Sequence, residues 1–255
     1  MLAALLELVP SGLEQVDGPG YVEFAVYGAP GELPGFPAGE TEVAGTRVTV
    51  RGEAVAGDWA ERWRRFHQPA LVGGRVWVRP PWTEPRPGTL DVVIDPGQAF
   101  GTGAHPTTRL CLELLLELEP SGSLADVGCG SGVLAIAAAK LGFGPVRAVD
   151  NELAALEATH ANAAANGVAL AAVERQDLRE LAPPPAGTMT ANLTRPLLLR
   201  VAGLMTEQPE RLVLSGLLEE EAEEVAAAFA PLREREQRNL GGWSALLLED
   251  GSRLS

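Results

Sequence analysis

The residues best suited to chemistry in this 255-residue chain form a glycine-rich turn, Asp126 to Gly132. Its glycines, Gly128, Gly130 and Gly132, leave the backbone bare, so that a ligand can approach it closely. The helix predicted to begin at Val133 offers unpaired N–H groups and the positive end of its dipole. We therefore expect the turn to bind an anionic group such as a phosphate or the carboxylate of a methionine.

Acidic residues follow the next two predicted strands. Asp150 ends the strand Val146–Val149, where a carboxylate can accept both ribose hydroxyls of an adenosine, and we count its neighbour Asn151 as a further contact. Asp177 follows the next strand, at a position from which a side chain can meet an adenine amino group. Asp150 alone is also explained as a helix cap, and Asp177 alone as a surface acid. Their order on consecutive strands favours a binding site.

Two details distinguish this pattern from a dinucleotide-binding turn. The glycines are more closely spaced than in Gly-x-Gly-x-x-Gly, and Asp126 stands where dinucleotide folds usually carry a small or apolar residue. We count Asp126 as a cofactor contact, together with Asn192 after the fourth strand. The pattern favours S-adenosylmethionine, and a nicotinamide-dependent oxidoreductase remains an alternative.

A glycine- and proline-rich stretch, Asp95 to Thr108, precedes the turn. It carries a lone histidine, His105, just before a predicted helix that Thr107 and Thr108 open. The simple interpretation makes a threonine the helix cap and the histidine a packing residue. We favour a functional interpretation, in which the stretch folds over the cofactor as a lid and shapes an amine pocket.

Strands and helices alternate from residue 89 to 255, which predicts a mostly parallel sheet with helices on both faces. The candidate contacts lie at the carboxyl ends of these strands, where open sheets bind ligands. The predicted elements are strand Leu90–Ile94, helix Thr107–Leu118, strand Ser123–Val127, helix Val133–Leu141, strand Val146–Val149, helix Leu153–Ala165, strands Ala171–Arg175 and Thr188–Ala191, helix Leu197–Met205, strand Arg211–Leu214, helix Leu217–Phe229, and an antiparallel pair, Leu232–Arg238 and Trp243–Leu248.

The first 88 residues predict two further parts. Residues 1–57 form a small α+β domain with a helix, Leu2–Val9, and strands Gly12–Val16, Tyr21–Tyr27 and Thr46–Val50. Residues 58–88 form a connector whose tryptophans recur at helical spacing between arginines. An amphipathic connector helix is favoured there over a nucleic-acid-binding face, because the flanking segments are acidic.

Charge and composition narrow the possible partners. The chain has 34 acidic and 20 basic residues, a net charge of −14, which repels nucleic acid and attracts basic partners. It has no apolar run long enough to span a membrane, no basic leader, and two cysteines without metal-ligand spacing. We expect a cytoplasmic protein without a metal, and a monomer, since no apolar surface stripe demands a partner.

The stretch from Asp95 to Leu112 and the turn from Asp126 to Gly132 resemble the signature and cofactor motif of bacterial ribosomal protein L11 methyltransferases. Asp58 through Trp82 resembles the family's connector, and Leu5 to Asp17 resembles part of its recognition domain more faintly. The resemblance implies a small ferredoxin-like domain joined to a seven-stranded, Rossmann-like methyltransferase domain. The family's small domain begins with a strand that is missing here, so we expect a truncated domain or a misassigned start.

The resemblance also implies the activity, which is methyl transfer from S-adenosylmethionine to lysine ε-amines and the N-terminal α-amine of ribosomal protein L11. The implied cofactor contacts are Thr108, Gly128, Asp150 and Asn192, and the implied residues along the loop over the amine are Phe100, Gly101 and His105. To the cofactor contacts we add Thr107 and Gly101, and as catalytic residues we take Asn192, His105 and Phe100.

One position departs from the family's pattern. Arg195 follows where small or apolar residues are usual, which alters the expected shape of the acceptor pocket. A methyltransferase acting on another protein or a small molecule, and a binding module without activity, remain alternatives.

Overall fold

The computed structural model describes residues 14–18, 21–26, 39–43, 45–52, 67–96 and 103–251. The chain divides into two compact units, Met1–Phe66 and His67–Ser255. The predicted helix at the start of the chain and the predicted connector helix, with Trp59 and Trp63, lie outside the described residues.

The described residues of the first unit form two antiparallel hairpins. One pairs β1 (Glu14–Gly18) with β2 (Tyr21–Ala25), and the other pairs β3 (Gly39–Val43) with β4 (Thr46–Val50). Strands β1, β2 and β4 were predicted with shifted or equal bounds, whereas β3 was not expected. The ferredoxin-like arrangement of this unit stays a prediction.

The second unit begins with a small sheet of its own. Strand β5 (Ala70–Val72) turns back on β6 (Val76–Arg79), and β6 pairs in parallel with β7 (Leu90–Val93). The strand predicted at residues 90–94 is therefore confirmed, but it lies in this three-stranded sheet. Residues 70–79, which we assigned to the connector, are strands of the second unit, and the three-part division of the chain stays a prediction.

A seven-stranded sheet forms the centre of the second unit, in the order β10-β9-β8-β11-β12-β14-β13, and β14 runs opposite to the other six strands. This confirms the predicted α/β fold with a mostly parallel sheet. The elements are α1 (Pro106–Leu116), β8 (Leu124–Val127), α2 (Val133–Leu141), β9 (Val146–Asp150), α3 (Leu153–Ala165), β10 (Ala172–Arg175), β11 (Thr188–Asn192), α4 (Arg195–Leu204), β12 (Arg211–Leu218), α5 (Ala222–Ala228), β13 (Arg233–Leu240) and β14 (Trp243–Glu249).

The prediction of a helix beginning at Leu217 is wrong. Strand β12 continues to Leu218, a short 3-10 turn covers Glu219–Glu221, and α5 begins at Ala222. Leu217 is fully buried in the strand. Short apolar runs do not distinguish a buried strand from a buried helix, which explains the error. Helix α4 begins earlier than expected, because Pro196 suits its first turn.

Two apolar clusters lie on the two faces of the main sheet. Helices α1 and α2 and the three-stranded sheet cover one face, with Leu112 and Ile136 in its core. Helices α4 and α5 cover the other, with Leu198 and Phe229. The strands between these layers are rigidly packed, so polar groups at their ends have defined positions. In the described part of the chain, no helix is long and apolar enough to cross a bilayer.

A buried arginine fastens the start of β12 to the loop after α1. Arg211 is only 6% exposed. Its guanidinium donates to the carbonyl of Glu119 at 2.8 Å and to the carbonyl and hydroxyl oxygens of Ser121 at 3.0 and 2.9 Å. It also lies 5.7 Å from the centre of the Phe143 ring. Losing the guanidinium would leave these acceptors without their donor inside the fold.

We predict that Arg211→Met lowers the free energy of unfolding by about 2–4 kcal/mol, because buried hydrogen bonds to a charged donor are lost. Arg200→Met is the matched control. Arg200 is exposed and donates to one carbonyl, that of Arg179 at 2.6 Å, so its loss should change stability by less than about 1 kcal/mol. Urea denaturation of both variants measures the difference, and equal effects would contradict the role given to Arg211.

Candidate functional site

The glycine turn joins β8 to α2 at the carboxyl ends of two parallel strands. The N–H groups of Gly128 and Cys129 both donate to the carbonyl of Val149, at 2.8 and 3.0 Å, and the N–H of Gly132 closes the turn on the carbonyl of Cys129 at 2.8 Å. All three glycines of the turn have positive φ, between 52° and 79°. Because side chains with a Cβ disfavour this conformation, glycine at these positions makes the tight turn possible.

A leucine of this chain, and not a ligand, explains the close approach at Gly128. A Cβ on Gly128 would lie 2.2 Å from Cδ2 of Leu193, and a Cβ on Gly216 would lie 2.3 Å from the carbonyl oxygen of Leu193. The N–H of Leu193 also donates to Ser215 at 3.0 Å. Leu193 thus occupies the side that a Cβ of Gly128 would take, and the expected contact between Gly128 and the cofactor stays a prediction. Leu193, wedged between two glycines, holds the end of β11 and its Asn192 beside the turn.

Asp126 lies beneath the turn. It is 1% exposed, its Oδ1 accepts from the Thr190 hydroxyl at 2.8 Å, and its Oδ2 accepts from the N–H of Ala135 in the first turn of α2 at 3.0 Å. Burial raises the pKa of Asp126 to about 6, against the effect of these two hydrogen bonds, and the charge of nearby Asp150 adds to the rise. Both oxygens thus bind donors within the fold and support the turn from beneath, and the expected contact between Asp126 and the cofactor stays a prediction.

Asp150 lies at the end of β9, beside the turn, as predicted. Its Oδ2 accepts from the N–H of Gly130 and its Oδ1 from the N–H of Glu152, both at 3.0 Å. The cap residue of α3 is Glu152, so Asp150 is not itself the helix cap. A carboxylate has about four lone-pair sites, so two backbone donors orient it and leave acceptor capacity for two further donors.

Asn192 meets the beginning of α1 on the other side of the turn. Its Nδ2 donates to the hydroxyl of Thr108 at 3.4 Å, across 84 residues of chain. Thr107 and Thr108 are both buried, with 1% and 0% exposure. Neither threonine is the helix cap, since His105 takes that position. The fold thus brings together Asn192 and Thr108, two of the predicted cofactor contacts.

His105 both caps α1 and packs against the main sheet. Its Nδ1 accepts from the N–H of Thr107 at 3.4 Å and lies 2.8 Å from the Thr107 hydroxyl oxygen. The ring meets Trp243 edge-on, with 5.2 Å between ring centres. Burial lowers the pKa of His105, so the imidazole is neutral at pH 7. His105 therefore has a packing and capping role, and its predicted role towards an amine stays a prediction.

Two further predicted residues, Asn151 and Asp177, form hydrogen bonds away from this group. The main-chain carbonyl of Asn151 accepts from the arginine that ends β10. Asp177 forms a surface turn, accepting from the N–H of Arg179 at 2.9 Å. Phe100 and Gly101 lie outside the described residues. The roles predicted for these four residues stay predictions.

The arginine that departs from the family's pattern forms a surface ion pair. Arg195 donates to both carboxylate oxygens of Glu224 on α5, at 2.6 and 2.8 Å. Both side chains are substantially exposed. Its charge is therefore engaged by an adjacent helix.

Two residues of α3 hold the turn from behind and were missed by the sequence analysis. Thr159 donates to the carbonyl of Gly130 at 3.0 Å, and Asn162 donates to the carbonyl of Ser131 at 2.9 Å. Both side chains are buried. The available signal was two polar residues one helical turn apart in an alanine-rich helix, which is unusual on a buried face.

The described residues provide positioning groups rather than a metal site. Among them, no three histidine, cysteine, aspartate or glutamate side chains are close enough to hold a metal ion. A surface cavity of about 290 Å³ lies at the opposite, amino-terminal ends of β8 and β11, and it contains none of the residues discussed above.

The strand order, the glycine turn after β8 and the acid at the end of β9 define the class of Rossmann-like methyltransferases. The family model for "Ribosomal protein L11 methyltransferase (PrmA)" matches residues 38–250. This chain therefore belongs to the ribosomal protein L11 methyltransferase family.

Curated relatives carry the same description. Those from Shewanella halifaxensis and Shewanella denitrificans are 43% and 44% identical over 185 residues, and each match covers 68% of this chain and 61% of the relative. The chain thus spans about three fifths of the length of these relatives.

Solved structures show the same fold. The ribosomal protein L11 methylase from Lactobacillus delbrueckii subsp. bulgaricus matches with a TM-score of 0.64 and 27% identity, over 72% of this chain and 98% of that one. The tRNA (uracil-54, C5)-methyltransferase of Pyrococcus abyssi, in complex with S-adenosyl-L-homocysteine, matches with a TM-score of 0.50 and 23% identity, over 61% of this chain and 41% of that one. The second match shows likeness of fold alone.

We predict that Asp126 makes stability depend on pH in a defined window. Its folded-state pKa of about 6 lies above the unfolded value of about 3.9, so the folded state binds more protons between them. Its contribution is complete below about pH 4 and is lost as pH rises through about 6, a change of about 3 kcal/mol. Asp126→Asn should remove this slope, which urea denaturation between pH 4 and 7 measures.

Thr190→Val provides a second test of the same carboxylate. It removes a hydroxyl donor that favours the charged form, so the upper end of the window should move above pH 6. Identical pH dependence in wild type and Asp126→Asn would show that another group titrates in this window.

Proposed function

We propose that this chain transfers methyl groups from S-adenosylmethionine to lysine side chains and the N-terminal amine of ribosomal protein L11. The observation that carries the proposal is the arrangement around β8. Asp150, oriented by two backbone amides, and Asn192, on the strand at the opposite side of β8, flank the glycine turn. Membership of the family supports the same activity.

The chemistry of these groups fits the cofactor. Amides at the start of α2 suit the methionine carboxylate, and Asp150 suits the ribose hydroxyls. We place Asn151 and Asp177 beside the adenosine, with Thr107, Thr108 and Gly101 as further contacts. Bound S-adenosylmethionine would supply an electrophilic methyl group on a positively charged sulfur.

Asn192 is proposed to orient the accepting amine. The amine must be neutral to react, although the pKa of a free lysine is about 10.4. Since Nδ2 of Asn192 donates to Thr108, its Oδ1 is left, among the described residues, as an acceptor for an amine N–H. A neutral amide oxygen holds the amine without the strong preference for ammonium that a carboxylate would impose.

The neutral state of His105 suits a site that receives positive charge. A charged imidazole would repel both a sulfonium cofactor and a cationic substrate, whereas burial keeps this ring neutral. Together with Phe100 and Gly101, His105 is proposed to line the amine side of the site. The acidic chain, with net charge −14, suits a basic ribosomal protein as its partner.

The remaining assignments follow from this substrate. Residues 1–57 are proposed to recognise the ribosomal protein and residues 58–88 to connect them to the methyltransferase domain. We propose that the enzyme works in the cytoplasm as a monomer, on the free protein or on the ribosome.

We predict that the chain binds S-adenosylhomocysteine and does not bind NAD⁺ in isothermal titration calorimetry. Asp150→Ala should weaken S-adenosylhomocysteine at least about tenfold, because the proposed ribose acceptor is lost. Glu174→Ala is the control, since Glu174 is an exposed acid on the adjacent β10, paired with Arg147. Tight NAD⁺ binding would support an oxidoreductase and count against the proposal.

We predict that Asn192→Ala lowers kcat on ribosomal protein L11 about 100-fold, because the amine loses its orientation. Asn192→Asp should instead stabilise the ammonium form and move the pH–rate profile to higher pH. Mass spectrometry of the ribosomal protein after incubation measures both. Asn239→Ala on the exposed face of β13 is the control and should retain full activity. Unchanged rates in both Asn192 variants would refute this role.

A further inference from the structure

The outward edge of β7 is covered by helix side chains instead of another strand. Alternate residues of β7 turn their main-chain polar groups away from β6. Lys140, the only lysine of the chain, donates to the carbonyl of Asp91 at 2.5 Å. The carboxamide of Asn166 accepts from the N–H of Val93 at 2.9 Å and donates to the carbonyl of Val93 at 2.6 Å. These side chains replace the partners that a further strand would supply.

Asn162 continues this edge and links it to the glycine turn. Its Oδ1 accepts from the N–H of Asp95 at 2.9 Å, just after β7, and its Nδ2 donates to the carbonyl of Ser131 at 2.9 Å. The residue is 3% exposed. One buried carboxamide therefore bridges the two segments, because its oxygen accepts from the end of β7 and its nitrogen donates to the turn.

The polar face of α3 controls the orientation of two consecutive peptides in the turn. Thr159 draws the carbonyl of Gly130 towards α3, and Asn162 does the same for Ser131. A trans peptide holds its C=O and N–H on opposite sides, so the N–H groups that follow point away from α3. Asn166 lies on the same face but bonds to Val93 and to the carbonyl of Asn162, without a bond to the turn.

We propose that Asn162 is a positioning residue for the cofactor turn. It fixes the Ser131–Gly132 peptide, and with it the glycine turn, relative to the end of β7. The inference rests on the function proposed above, because it assigns the turn to the cofactor. A merely structural role would lower stability without changing the affinity for a ligand of the turn.

The test compares Asn162→Ala with Asn166→Ala as a matched control. Both variants remove a carboxamide that bonds to β7 or its end, buried in Asn162 and half-buried in Asn166, but only Asn162 contacts the turn. Asn162→Ala should weaken S-adenosylhomocysteine about tenfold in calorimetry and raise KM for S-adenosylmethionine similarly, as expected for one lost hydrogen bond. Its kcat should change less than about threefold. Asn166→Ala should leave affinity and KM within about twofold while also lowering stability.

Hydrogen exchange gives a readout that needs no ligand. Amides of residues 128–133 should exchange at least about tenfold faster in Asn162→Ala than in wild type. In Asn166→Ala their exchange rates should equal those of wild type. Asn162→Ser, with a shorter polar side chain, replaces the alanine variant if that one fails to fold. Equal affinities in wild type and the Asn162 variant, or equal losses in both variants, overturn the inference. If the wild type binds no S-adenosylhomocysteine, the proposed function fails. In that case, unchanged amide exchange at residues 128–133 in Asn162→Ala would by itself overturn the inference.

Discussion

A buried carboxylate that needs donors on two sides sets the geometry of the site. Water cannot solvate Asp126, which is 1% exposed, so the fold must bring a donor to each oxygen. Ala135 supplies one from the first turn of α2, and Thr190 supplies the other from the position paired with Asp126 in β11. The start of the helix and the register of the strand are thereby tied to one side chain. Both the glycine turn and Asn192 follow from these two placements.

The supporting residues and the proposed contact residues lie at two levels of the site. Below the turn, the polar side-chain atoms of Asp126, Thr159 and Asn162 form hydrogen bonds with the backbone of the turn and of α2. At the carboxyl rim, Asp150 and Asn192 retain acceptor capacity beyond their bonds within the fold. The lower level contains the buried carboxylate of Asp126 and fixes the peptide groups of the glycine turn. The rim can therefore bind and orient without reorganising, which is the arrangement that alignment-driven catalysis requires.

Local patterns predicted the alternating elements, the turn and the acid at Asp150, because each depends on residues close in sequence. The β5–β6 hairpin was missed, although Gly73 and Gly74 between two apolar runs are typical of such a turn. The length of β12 was missed because a strand buried on both faces lacks alternation. The support that Asp126 gives beneath the turn was not predicted, since spacing does not show which side of a turn a side chain faces. The packing of Leu193 against Gly128 and Gly216 joins segments that are distant in the sequence, so no local pattern predicts it.

The packing of Leu193 between Gly128 and Gly216 also restricts how this region of the molecule can vary. A smaller residue at position 193 would make room for a side chain at position 128, although the positive φ of Gly128 would still strain it. A side chain at position 216 would instead meet the main chain of residue 193, so no exchange of the leucine makes room for it. Redesign of the space beside Asn192 can therefore begin at positions 193 and 128, whereas position 216 has to remain glycine.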